Sequence, residues 1–338
     1  FYFSFFYQSR YHLDSDDFKY IDYSQKFLNS IISYFKYGIS TDFYGLWHLF
    51  TSLYFSLSFL IYGNNYWSPV YLSIIFSCLT SLVVFDLFKN QIGKDNAKYF
   101  TIFYSLGLYT LAWTSIVALR ESLCALLTIS FLKIIWELIE RKKRFSIYDM
   151  SKLFIVLIIL FNVRFYIPIF IIGSCIIYFT INEIKKLKKI QFKIIQKITI
   201  KKLLVLSLFL LAFLFLLDRV GGVPVSEFYM LAEVPKRFLS ITFGPVPTKL
   251  SNEYVFLTFA AYFHMTVFPL SLLFILRFIK ASDFNKFLFI NLVFALFSLS
   301  LFGLNIRHRF QYEFIIYFIE FFMFYKLAEN GRIKIRIW

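Results

Sequence analysis

Long apolar runs separated by short polar segments make up most of the chain. A helix needs about 20 apolar residues to cross the hydrocarbon core of a bilayer, and several of these runs are near the lower limit. We predict that the following nine runs span a membrane: 69–88, 99–118, 121–139, 151–165, 167–182, 202–217, 254–276, 287–303 and 311–326. The opening segment FYFSFFYQSR has the pattern of the end of a further hydrophobic helix. The expected fold is therefore an all-α, polytopic membrane bundle with about nine to ten transmembrane helices.

Composition and charge agree with this class. Apolar residues make up 59% of the chain and aromatic residues 23%, well above a soluble domain. About 23 basic residues fall in alternate polar segments, namely 89–98, 141–152, 185–202, 277–286 and 326–336. The positive-inside rule places these segments in the cytoplasm and the others outside the cytoplasmic membrane. The net charge of +16 thus reflects orientation in a lipid bilayer, and we expect no nucleic acid partner.

The same alternation decides how the apolar segment 47–63 is interpreted. If this segment crossed the membrane, every later lysine-rich segment would face outward, against the positive-inside rule. We therefore predict a helix that lies at the outer interface or dips into it.

Four parts follow from this topology: 1–68, the end of a first transmembrane helix plus an outer loop with juxtamembrane helices; 69–217, transmembrane helices with basic cytoplasmic loops; 218–253, an outer loop that serves as a lid or acceptor-binding element; and 254–338, the C-terminal transmembrane helices and a cytoplasmic tail.

Carboxylates are concentrated in the first outer loop, in the segment YHLDSDDFKYIDYS. Asp14, Asp16 and Asp17 are close enough in sequence to share a proton or to exchange roles. A carboxylate within hydrogen-bond reach of a substrate hydroxyl is a suitable general base. Carboxylate oxygens also bind divalent cations, so Asp14 and Asp16 are candidate ligands for such an ion, and no other cofactor is expected.

Arginines mark the outer ends of several predicted spans: Arg120, Arg164, Arg307 and Arg309. Guanidinium groups in such positions can bind a lipid phosphate, although a single arginine at a helix end is equally often an interfacial anchor. Glu121 follows Arg120 directly and could neutralise it instead, which favours the other arginines as phosphate ligands. His48 and His308 lie on the same predicted side.

The chain resembles one family of membrane enzymes at several points. Asp16, Asp17, Tyr20 and Ser24 form the pattern D-D-x-x-Y-x-x-x-S, which resembles the D-E-x-x-Y-x-x-x-A signature in the first outer loop of GT-C glycosyltransferases. The similar branch contains protein O-mannosyltransferases and lipid A aminoarabinose transferases. The segment from His48 to Tyr62-Gly63 is similar to that branch's stretch from a His-Pro pair to a Phe-Gly. LNIRHRFQYEF resembles the Arg-x-Arg sequence that precedes its last spans.

The sequence departs from this family in three places. Asp17 stands where the family has Glu, Leu49 follows His48 where the family has Pro, and we expect no separate soluble domain after the last predicted span.

The resemblance implies transfer of a sugar from a polyprenyl-phosphate donor to a lipid, glycan or protein acceptor on the extracytoplasmic face, in polysaccharide biosynthesis for the cell envelope. On this basis Asp16 is the first candidate for the catalytic base, with Asp14 and Asp17 beside it. The four arginines are the candidates for binding the lipid phosphate. The candidates for contacts with the sugar or acceptor are Tyr20, His48, His308 and Glu227.

Two other functions fit the same topology. A polymerase of O-antigen or exopolysaccharide repeat units also has about ten spans and outward arginines, and its key residues would be Arg120, Arg164 and the loop 218–253. A transporter or flippase would instead have charged residues in the middle of helices and broken helices. Lys133 and Glu137 approach that pattern, but their spacing favours a local ion pair.

Overall fold

A computed structural model describes residues 49–63, 65, 67–115, 120–141, 146–187, 233–244, 246, 248, 257–301 and 306–330. These residues are 93% helical and contain no strand, which confirms the predicted all-α class. The helices are α1 (Leu49–Tyr62), α2 (Ser68–Ile92), α3 (Lys94–Ser105), α4 (Leu108–Ser115), α5 (Glu121–Arg141), α6 (Ile147–Arg164), α7 (Tyr166–Leu187), α8 (Val234–Phe243), α9 (Thr258–Leu272), α10 (Ile275–Ala281), α11 (Asp283–Leu301) and α12 (Glu313–Asn330), with a 3₁₀ helix at Ile306–Tyr312 before α12.

Within the described residues, four helices are long and apolar enough to cross a membrane: α2, α5, α7 and α11. Helices α9 and α10 form a fifth span if they are counted together, although they are bent by 67° at the break between them. Several crossing helices indicate a multi-pass membrane protein. The predicted run 202–217 lies outside the described residues, so the total number of spans stays a prediction.

The predicted run 99–118 is not one continuous helix. The chain turns at Leu106 and Gly107, which separates α3 from α4. A Cβ atom added at Gly107 would lie 2.5 Å from the ring of Tyr317 on α12. Glycine at this break therefore allows α12 to pack directly against the turn.

Aromatic rings fill the centre of the bundle. The ring of Phe88 on α2 lies 4.6 Å from Phe100 on α3, 5.2 Å from Phe284 on α11 and 4.4 Å from Phe318 on α12, measured between ring centroids. All four side chains are buried. Edge-to-face contacts of this kind stabilise the packing beyond the area they bury, so these rings join four helices into one core.

Helix α1 has 14 residues and spans about 21 Å, less than the roughly 30 Å of a hydrocarbon core. Its polar side chains Thr51, Ser52, Ser56 and Ser58 are buried against the bundle, whereas leucines such as Leu57 and Leu60 are exposed. A helix with its polar face inward and its apolar face outward is suited to a lipid environment. Its length fits the predicted helix that does not cross the membrane.

Candidate functional site

Three turns of the bundle meet at the end that is predicted to face outward. Helix α5 begins at Glu121, directly after Arg120. Helix α6 ends at Arg164, and α7 begins at Tyr166. The 3₁₀ helix brings His308 to the same place. We call these five residues the Arg164 cluster, because Arg164 contacts three of the other members.

Hydrogen bonds join the Arg164 cluster across three helix ends. The Nη2 atom of Arg164 donates to Glu121 in a buried ion pair. Its Nη1 atom lies 3.1 Å from the hydroxyl of Tyr166 and 2.6 Å from Nδ1 of His308. The Tyr166 hydroxyl is hydrogen-bonded to the same imidazole nitrogen. The Nη1 atom of Arg120 donates to the hydroxyl of Thr51 on α1 at 3.0 Å, which joins the cluster to α1.

The hydrogen-bond pattern assigns a protonation state to His308. A guanidinium group can only donate, so Nδ1 of His308 accepts from Arg164 and the neutral ring carries its proton on Nε2. In this tautomer Nδ1 is a hydrogen-bond acceptor and Nε2 carries the N–H group.

The charges of the Arg164 cluster favour an anionic ligand. Its described members contribute two guanidinium groups and one carboxylate, and all of them are buried. Arginine binds phosphate and carboxylate oxygens through several N–H groups at once, and such bonds are stronger where water is excluded. Phosphate or another anion is the ligand class that this arrangement fits.

A second buried group, the Arg309 cluster, consists of Arg309, Glu313, His264, Glu320 and Tyr109. The Nε atom of Arg309 donates to Glu313 at 2.7 Å. The guanidinium carbon of Arg309 lies 5.1 Å from the centre of the Tyr109 ring. His264 Nδ1 lies 3.6 Å from Glu320. This cluster connects α4, α9 and α12 with the 3₁₀ helix.

Arg309 also binds the C-terminal end of α8. Its Nη1 atom donates to the backbone carbonyls of Ile241, Thr242 and Gly244 at 2.7, 3.1 and 3.1 Å. Carbonyl groups at a helix C-terminus have no partners within the helix and carry partial negative charge, so a cation there is stabilising. His264 Nε2 donates to the carbonyl of Thr242 at 2.8 Å.

These contacts bear on the prediction that Arg309 binds a lipid phosphate together with Arg307. In the structure Arg309 is fully buried, and its Nε and Nη1 atoms bind Glu313 and three carbonyl groups. It therefore acts as a helix cap, and its binding to a phosphate stays a prediction. Arg307 belongs to the 3₁₀ helix, but its side chain lies outside the described residues.

The other candidate residues divide into two groups. The structure brings Arg120, Arg164 and His308 together. The remaining candidates lie outside the described residues: Asp14, Asp16, Asp17, Tyr20, His48 and Glu227. Among the described residues no group of three or more His, Cys, Asp and Glu side chains could hold a metal ion. The proposed ligands Asp14 and Asp16 are not among those residues, so the prediction of a divalent cation is not tested.

Sequence reasoning missed several members of both clusters. Glu121 was considered only as a neighbour of Arg120, and the structure also pairs it with Arg164. Tyr166 was not singled out, although it follows Arg164 by two residues across a helix break. The Arg309–Glu313 pair had a readable signal, because residues four apart face each other on a helix. His264 and Glu320 carried no such signal.

A third network lies toward the opposite end of the bundle. Lys133 on α5 forms ion pairs with Asp86 on α2 and, at 3.7 Å, with Glu137. Asp86 also pairs with Lys89. The structure thus contains the local pair predicted for Lys133 and Glu137, extended by a contact between two helices. This network ties α2 to α5.

No protein-family model, curated protein or solved structure is significantly similar to this chain. The assignment of function therefore depends on the residues and their geometry.

Proposed function

We propose that this protein is a multi-pass membrane glycosyltransferase that uses a polyprenyl-phosphate-linked sugar on the outer face of the cytoplasmic membrane. One observation carries the proposal. Three separate turns bring Arg120, Arg164 and His308 into one buried site at a single end of the bundle, and its two guanidinium groups suit a lipid phosphate.

The arginines support the departure of the leaving group. When an acceptor hydroxyl attacks the anomeric carbon, a new carbon–oxygen bond forms and the bond from that carbon to the phosphate oxygen breaks. The electron pair of the broken bond stays on the lipid phosphate. Arg120 and Arg164 stabilise this charge, and His308 contributes an N–H donor from Nε2. Glu121 and Tyr166 hold the Arg164 guanidinium in place.

In this proposal the catalytic base, which takes the proton of the acceptor hydroxyl, belongs to the first outer loop. Asp16 takes the proton of the acceptor hydroxyl, and Asp14 and Asp17 adjust its basicity through like charges nearby. Tyr20, His48 and Glu227 contact the sugar or the acceptor in this scheme. A divalent cation held by Asp14 and Asp16 would supply further stabilisation of negative charge. The similarity of D-D-x-x-Y-x-x-x-S to the GT-C signature supports these assignments.

A second candidate, polymerisation of lipid-linked repeat units, is favoured by one specific observation. Polymerase activity was expected to depend on Arg120 and Arg164, and both arginines belong to the same buried cluster. In a polymerase the donor is a saccharide on polyprenyl diphosphate and the acceptor is a second lipid-linked unit. A polymerase binds both lipid-linked substrates at once, and the product is a longer chain.

Transport is the third function, and two features of the structure match what it predicts. Glu320 lies within α12 beside His264, away from the helix ends, and α9 and α10 form a bent pair. Charged groups inside membrane helices often mark transport paths. A transporter would move the lipid-linked saccharide without changing its chain length, which gives a direct test.

The test compares surface glycans and lipid-linked saccharides in cells that carry the wild-type protein or the variants Asp16→Asn, Asp14→Asn, Arg307→Ala, Arg164→Lys or Glu320→Gln. Arg277→Lys on α10 is a matched control, because Arg277 is exposed at the opposite end of the bundle. Membrane abundance is measured for each variant.

The three functions give different patterns. A transferase with an Asp16 base loses its product in Asp16→Asn at normal abundance. A polymerase keeps single repeats on the surface but loses chain length in Arg164→Lys, while Asp16→Asn has no effect. A transporter loses all surface glycan in Glu320→Gln and accumulates complete lipid-linked saccharide inside. If none of these variants changes either pool, the proposed function is wrong.

A further inference from the structure

We propose that Arg309 is a positioning residue that couples the docking of outer helix α8 to the geometry of the Arg164 cluster, through its neighbour His308. This inference rests on the proposed function, because it gives α8 a defined effect on the site proposed to bind the lipid phosphate.

The first step of the argument is the connection between Arg309 and α8. Three carbonyl groups at the end of α8 accept hydrogen bonds from one nitrogen of Arg309, and Tyr109 and His264 donate to the same segment. The inward-facing residues Val234, Ile241 and Thr242 are buried, while Leu239 is exposed. The C-terminal end of α8 is therefore held by buried donors from three other elements.

The second step is the short 3₁₀ helix. It has seven residues and about three residues per turn, so consecutive side chains project about 120° apart. His308 thus points into the Arg164 cluster, while Arg309 points into the Arg309 cluster. His308 and Arg309 are consecutive residues of one tight turn and share a peptide bond. A movement of Arg309 therefore also displaces the backbone of His308.

The third step is the anchoring of this turn. Arg309 is held from two directions, by Glu313 through Nε and by the α8 carbonyls through Nη1. When α8 is docked, both contacts hold the turn in addition to its packing against α5, α11 and α12. When α8 moves away, Nη1 loses its three carbonyl acceptors, so the turn loses one of its anchors and the contacts of His308 with Arg164 and Tyr166 weaken. Docking of the outer helix therefore sets whether the Arg164 cluster is assembled.

Lysine is the informative substitution at position 309. It keeps the positive charge beside Glu313, but a single ammonium group cannot reach Glu313 and three carbonyl groups with the geometry of a guanidinium. Arg309→Lys should therefore loosen α8 without leaving an unpaired carboxylate in the bundle.

The native cysteines report on the coupling. Cys124 is fully buried and lies against Arg164, so its modification reports opening of the Arg164 cluster. Cys175 on α7 is also buried and reports general loosening of the bundle. A thiol introduced by Thr242→Cys reports undocking of α8, since Thr242 is buried. The exposed Cys78 is removed by Cys78→Ser in all samples.

The experiment measures the rate at which N-ethylmaleimide modifies each thiol in the full-length protein in membranes, by mass spectrometry of the separate peptides. In Arg309→Lys we expect modification at position 242 and at Cys124 to become at least ten times faster, with Cys175 unchanged. Arg277→Lys should alter none of the three rates.

Two results would overturn the inference. If only position 242 becomes faster, α8 is held by Arg309 but is not coupled to the Arg164 cluster. If all three thiols become faster together, Arg309 acts on general stability alone. These rates do not depend on any enzymatic activity. Failure of the proposed function would instead appear as unchanged glycans in Arg164→Lys, whatever the labelling shows.

Discussion

His308 and Arg309 are consecutive residues, yet their side chains belong to two different buried clusters on opposite sides of one turn. His308 is hydrogen-bonded to Arg164 and Tyr166, and Arg309 to Glu313 and the end of α8. The short 3₁₀ helix before α12 is therefore the junction between the candidate phosphate site and α8.

Removing one partner of the ion pair between Glu121 and Arg164 should destabilise the protein more than removing both. Glu121→Leu leaves a buried guanidinium without its carboxylate, and we expect it to lower the free energy of unfolding by about 3–5 kcal/mol. The combined change Glu121→Leu with Arg164→Met removes both charges and should recover most of that loss. Thermal unfolding of the purified protein in detergent measures both effects. If the double variant is as unstable as the sum of its single changes, the two groups are not coupled.

A methyl group at position 107 should disturb the contact between the α3–α4 turn and α12. In Gly107→Ala the new Cβ would meet the ring of Tyr317 at 2.5 Å, so one element must shift. We expect a loss of about 1–3 kcal/mol in unfolding free energy. Tyr317→Leu removes the ring atoms that the new Cβ would meet. The double variant should therefore lose less unfolding free energy than the sum of the two single losses. Strictly additive losses would show that the turn and α12 do not meet as described.

The two ends of the bundle should react differently with reagents that cannot cross the membrane. With Cys78→Ser as the background, Leu239→Cys on α8 should be labelled by an impermeant maleimide added outside intact cells. Ile147→Cys at the start of α6 should be labelled only after the membrane is made permeable. Both positions are exposed in the structure, so any difference in labelling reports the side of the membrane on which each position lies. The opposite pattern would reverse the predicted orientation.

The positions of most helices followed from the sequence for a physical reason. Backbone groups in lipid must be hydrogen-bonded within the segment, so a long apolar run folds as a helix. The run 121–139 thus corresponds to α5, and 167–182 to α7. The division of 99–118 was not predicted, although Gly107 lies inside that run and glycine often marks a break.

The candidate site was only partly predictable. Charged residues at the ends of apolar runs identified Arg120, Arg164 and His308 as members of one face of the bundle. Their pairing was not predictable, because sequence spacing does not show which turns become neighbours. Glu121 and Arg164 are 43 residues apart and meet only because α5 packs against α6. The capping of α8 by Arg309 was not predictable for the same reason, since the carbonyls that it binds come from a distant helix.

The most direct test of the proposed function is the ratio of polyprenyl-phosphate-linked sugar to finished surface glycan, measured by mass spectrometry in cells with the wild-type protein, Arg164→Lys or Arg277→Lys. If Arg164 stabilises the departing lipid phosphate, Arg164→Lys should raise this ratio at least tenfold at normal membrane abundance, because the donor accumulates while the product is lost. Arg277→Lys should leave the ratio unchanged. An Arg164→Lys variant that is present at wild-type abundance and keeps the wild-type ratio would contradict a role of the Arg164 cluster in sugar transfer.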